Sequence, residues 1–82
     1  HIAERMIGET KLSMKNFDKS IFYFKKVHDQ FKFDARFLHK FALAYLANKD
    51  IKNAKKCVEE IKRINPNYEN LTQLNFLLSS TN

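Results

Sequence analysis

The chain repeats itself at a spacing of 34 residues. NFDKSIFYFKKV, beginning at Asn16, aligns with DIKNAKKCVEEI, beginning at Asp50. In this register Gly8 pairs with Ala42, Ser20 with Ala54, Phe24 with Val58 and Val27 with Ile61. Residues 35–68 follow 1–34 without a gap, and a third copy begins at Glu69 and lasts the length of one helix. A unit this short cannot bury its apolar side alone, so such copies must stack on their neighbours.

Each copy carries two helical stripes. Leu38, Phe41, Ala42 and Tyr45 follow at i, i+3, i+4 and i+7, one apolar face of a helix, behind Asp34 as N-cap. ANKD interrupts the pattern, and Ile51, Ala54, Val58, Ile61 and Ile64 form the next stripe behind a second cap, Asp50. NPN at 65–67 ends it, because the residue before a proline is pushed away from helical backbone. The first copy predicts helices over 2–14 and 17–31, and Leu71, Leu74 and Leu78 predict a final helix over 68–80. One Gly and one Pro in 82 residues exclude a hairpin-rich sheet, which needs turn residues at set positions. The fold class is therefore all-α, with antiparallel helix–turn–helix repeats.

The single glycine, Gly8, lies inside a run of helix formers, ERMIGETKL, where it costs about 1 kcal/mol relative to alanine. Close approach of two helices explains it. Gly8 and Ser20 lie on the meeting faces of the first hairpin, as Ala42 and Ala54 do on those of the second.

This pattern resembles the tetratricopeptide repeat, whose signature runs W-x2-L-G-x2-Y, then A-x3-F, then P. The second copy matches with Leu38, Phe41, Ala42, Tyr45, Ala54, Val58 and Pro66, and the first with Ile7, Gly8, Phe17, Ser20 and Phe24. Glu4, Lys11 and Lys32 stand in the slots for Trp, Tyr and Pro, so the outer side of the first helix is expected to be exposed or to pack on other sequence. The resemblance covers about 68 of 82 residues. It implies a right-handed superhelix with repeats at 1–34 and 35–68, and a capping helix and tail at 69–82.

The resemblance also implies an adaptor whose first helices line a concave groove for a peptide or helix of a partner. The groove would draw Ile2, Arg5, Glu9 and Leu12 from the first helix. Arg36, His39, Lys40 and Leu43 would come from the third, and Asn70, Gln73 and Leu77 from the last. Within it, Arg5, Arg36 and Lys40 would meet acidic groups, Asn70 and Gln73 would bond a ligand backbone, and Leu43 would take an apolar side chain. The family's carboxylate clamp wants Lys, Asn, Asn, Lys and Arg, and this chain offers Arg5, Glu9, Lys40, Asn70 and Leu74. Glu9 would repel the carboxylate, so a chaperone-tail clamp is not expected. The competing view of the same charges is a solvated face in which Glu9 pairs with Arg5 at i+4.

The net charge of +6 permits acidic partners. The lysines at 25–26 and 55–56, with Lys19, Lys52, Lys62 and Arg63, map to the outward faces of the second helices. Nucleic-acid modules interleave such charge with exposed aromatics, whereas most aromatics here fall in core stripes, so nucleic acid is disfavoured. Phe22 shares a flank with Asp18, Lys25 and Lys26 and is a candidate for self-association, the alternative to partner binding. His1, His28 and His39 lack metal-ligand spacing, Cys57 falls in an apolar stripe, and no phosphate loop, nucleophile elbow or carboxylate pair is present. No enzyme, metal or cofactor is expected. One cysteine forms no internal disulfide, which fits an intracellular setting. With His1 first, the chain is expected to be a piece of a longer protein.

Overall fold

A computed structural model describes residues 1–80. Among them run five helices: α1 (Ile2–Ser13), α2 (Phe17–Phe31), α3 (Ala35–Ala47), α4 (Ile51–Ile64) and α5 (Leu71–Ser80). α1 packs on α2, α2 on α3, α3 on α4, and α5 closes over α4 and α3. This is the all-α stack of hairpins that the repeat predicts. Thr81 and Asn82, the end of the segment assigned to cap and tail, lie outside the described residues.

The two hairpin turns are built alike. Lys15 and Lys49 both sit in the left-handed region at φ 62°. Around them Asn16 N donates to Lys11 O at 2.8 Å and Asp50 N to Tyr45 O at 2.9 Å, closing the last helical carbonyls. Glycine usually fills this position because it has no Cβ to strain. The chain spends its only glycine elsewhere. A Cβ on Gly8 would lie 2.7 Å from the Phe24 ring, and Ser20 Oγ donates to Gly8 O at 2.9 Å. The close approach expected of the first hairpin is therefore present, sealed by a buried hydrogen bond.

The core lies between α2, α3 and α4. Phe24, Val27, Phe37, Leu38, Ala54, Ile61 and Leu74 have no solvent exposure, and each such large side chain contributes roughly 1.5–3 kcal/mol by burial. Phe24 meets Phe37 edge-on at 5.4 Å between ring centres, and Phe41 stacks on Tyr45 at 4.6 Å. Cys57 is 3% exposed, and burial, with Glu60 nearby, pushes its thiol up to about 12, so it packs as a small apolar residue.

Two boundaries depart from expectation, and the smaller is the end of α1 at Ser13 rather than residue 14. The last helix begins at Leu71, not at residue 68. The chain turns first, with Tyr68 N donating to Asn65 O at 3.0 Å and Leu71 N to Tyr68 O at 3.2 Å. The Tyr68 side chain is held by His39 of α3, a contact between distant positions that no local pattern announces.

Candidate functional site

Three of the expected groove residues of α1 and α3, Arg5, Glu9 and Lys40, form one bonded network with Asp34. Asp34 caps α3, accepting from Arg36 N at 3.0 Å and Phe37 N at 3.2 Å. Its other oxygen accepts from Arg5 Nη1 at 2.8 Å, while Arg5 Nε donates to Glu9 Oε2 at 3.1 Å. Glu9 reaches across to Lys40 Nζ at 3.5 Å. The Arg5 guanidinium also lies over the Phe31 ring, 4.7 Å from its centre. α1 and α3 are thus tied through charge as well as through their packing on α2.

The electrostatics follow from these bonds. Burial alone would lower the Arg5 pKa, but hydrogen bonds to Asp34 and Glu9 and the charges of both raise it. Burial would likewise raise Asp34, and its bonds from Arg5, Phe37 N and Arg36 N, with the Arg5 charge, hold it below the ordinary 3.8. His39 shares a 2.8 Å hydrogen bond with the Tyr68 hydroxyl. Burial, then the Lys40 charge, lowers its pKa, which favours the neutral ring.

Arg36, Lys40 and Gln73 are exposed, whereas Arg5, Glu9, His39, Leu43 and Asn70 are half-buried. Leu43 packs against the core with Leu12. Asn70 O accepts from Leu74 N at 3.0 Å in the first turn of α5. Ile2 is 68% exposed at the start of α1. Leu74, which falls in the last clamp position, is fully buried and carries no charge to offer a carboxylate. The network thus gathers Arg5, Glu9 and Lys40, and Arg36 joins it only through its backbone N–H to Asp34. His39 turns to Tyr68 instead.

Three residues outside the sequence assignment matter to this surface: Asp34 as a partner of Arg5, Phe31 beneath its guanidinium, and Tyr68 on His39. Only Asp34 carried a signal, as a cap. Contacts 29 positions apart, such as Arg5–Asp34 and His39–Tyr68, leave no trace in local periodicity.

A family model described as the tetratricopeptide repeat matches residues 6–27 and 35–68. The first match starts after Glu4 and stops before Lys32, two of the positions that depart from the signature. No curated protein and no solved structure matches the chain. The two matched segments cover more than half of the sequence, and with the hairpins stacked as described, the chain belongs to the tetratricopeptide repeat family.

Proposed function

We propose that this protein is a protein-interaction module that holds a peptide or helix of a partner along the side formed by α1, α3 and α5. Tetratricopeptide repeats are generally protein-interaction modules. The observation that carries the reading is the Asp34–Arg5–Glu9–Lys40 network, which presets charged side chains across two helices before any ligand arrives. Arg5 and Glu9 fix the geometry. Arg36 and the exposed end of Lys40 receive acidic groups of the ligand, Gln73 and Asn70 bond its backbone, and Leu43 supplies an apolar contact. The charge part is weakened by salt, as between any exposed charges. A role as a non-catalytic scaffold fits the same family assignment.

The test is capture from cell lysate by the 82-residue protein, read by mass spectrometry, against an Arg36→Glu, Lys40→Glu bait verified as helical by circular dichroism. A partner held by the first bait and lost by the second is the expected result. Equal capture by both removes the assignment to this side. A second reading, self-association, is favoured by the exposure of Ile2, Met6, Met14 and Phe22, between 56% and 68%. It predicts that tagged bait returns mainly its untagged self.

A further inference from the structure

The fold matches part of the positive charge on the α1–α3 side and, among the described residues, leaves Arg36 there without an ion pair. There Arg5 is paired twice and Lys40 once, all to internal carboxylates. Lys25 on α2 and Lys55, Lys56 and Arg63 on α4 have no carboxylate within 4 Å among the described residues, and all four are exposed. They line the cleft between α2 and α4.

That cleft is hollow. A cavity of about 210 Å³ opens between Lys25, Asn53 and Lys56, with the edges of Phe41 and Tyr45 in its lining. A second, of about 500 Å³, continues past Lys55, Glu59 and Arg63, and His28 and Glu60 line both. His28 Nε2 donates to Glu60 Oε2 at 3.0 Å, bridging α2 to α4. From Asn53 to Arg63 the trough follows α4 for roughly 15 Å at 1.5 Å rise per residue, the reach of about five extended residues.

The geometry points to a second binding site here, in which the α2–α4 trough takes an extended acidic segment of a partner protein, with one apolar side chain seated over Phe41 and Tyr45. The first cavity is smaller than the ~300 Å³ at which small-molecule sites begin, so it suits one side chain. Charge complementarity selects an acidic chain, because Lys25, Lys55, Lys56 and Arg63 outnumber the lining carboxylates, Glu59 and a Glu60 already bonded to His28. The lining aromatics select a peptide over a nucleic acid, because Phe41 at 3% and Tyr45 at 6% exposed offer no open ring for a base to stack on. Glu59 is left to accept a backbone N–H, which a peptide carries and a phosphodiester backbone lacks. The trough is independent of the α1–α3–α5 side, and each can fail without the other.

The probe is a fluorescein-labelled peptide with one leucine between two runs of three aspartates, titrated into ¹⁵N-labelled protein by NMR and by fluorescence anisotropy. Amide shifts are expected at Lys25, His28, Asn53, Lys56 and Glu60. Lys25→Glu, Lys56→Glu should weaken binding by about tenfold or more, since two contacts become repulsions. Arg36→Glu, Lys40→Glu should change it less than about twofold at moderate salt, where charges more than a Debye length away are screened. Both pairs are exposed and leave the core untouched, and Lys25→Gln, Lys56→Gln should fall between wild type and the reversal. Shifts mapping elsewhere, or equal losses in both reversal variants, would overturn the proposal. So would a single-stranded RNA of equal charge that binds the trough more tightly than the peptide.

Discussion

The two hairpins share a register and differ in how deeply they are buried. α1 buries only Gly8, whereas α3, its counterpart, buries Phe37, Leu38, Phe41, Ala42, Ala44 and Tyr45. Ile7 and Phe41 occupy equivalent positions, yet Ile7 is 39% exposed and Phe41 3%. The cause is the number of neighbours. α3 is packed by α2, α4 and α5, while α1 has one packing partner, α2, and otherwise touches α3 through side-chain charges. Position in the stack therefore sets burial more than residue type does. Helix capping follows the same division. Asp34 and Asp50 accept backbone N–H bonds at the starts of α3 and α4, but His1 and Asn16 make no side-chain cap bond at the starts of α1 and α2.

The sharpest way to break this comparison is to truncate the equivalent pair. Phe41→Ala should cost about 3–5 kcal/mol, and Ile7→Ala under about 1 kcal/mol, because only the first opens a cavity in a closed core. Urea unfolding of both variants measures the gap, and equal losses would mean that α1 is as tightly held as α3.

Next in size is the exchange of the small residue at the first helix crossing. Gly8→Ala gains about 1 kcal/mol of helix propensity but drives a Cβ to 2.7 Å from Phe24, a ring with no exposure and packed on Phe37. Overpacking of that kind costs about 1–3 kcal/mol, so the net change is expected to be a loss. Adding Phe24→Leu to Gly8→Ala should then cost less than the two single changes combined, a coupling that thermal unfolding of the four proteins measures. A stabilised Gly8→Ala would show that the first hairpin has slack that the second lacks.

The smallest expected difference is at the caps. Asp50→Ala should cost about 1 kcal/mol, and Asn16→Ala much less, since Asn16 makes no cap bond with its side chain. The hydrogen bond from the Asn53 side chain, then its backbone N–H and the charges of Lys25 and Lys52, hold Asp50 below the ordinary 3.8 despite some opposing burial. A lowered folded-state pKa means stability that is complete above that ordinary value and is lost as pH falls through the folded one. Urea midpoints should therefore drop between pH 5 and pH 2.5, and Asp50→Ala should flatten the part of that slope owed to this carboxyl. An unchanged slope would place the acid sensitivity elsewhere, with Asp34 the other lowered carboxyl.

The sequence by itself determined the repeat, the pairing of helices into hairpins, and the reason for Gly8. It also placed Asp34 and Asp50 as caps. Each of these rests on residues a few positions apart or on a fixed register, and local backbone geometry reads such spacing directly. Tertiary structure alone decided what each charge does. Arg5 is drawn to Asp34, because packing on α2 brings the ends of α1 and α3 together. Tyr68 leaves the final helix to meet His39, and His28 joins Glu60 across 32 positions. The hollow between α2 and α4 exists only because α3 spaces them apart. Long polar side chains find partners by distance and desolvation in the folded stack, and neither quantity is written in the period of the sequence.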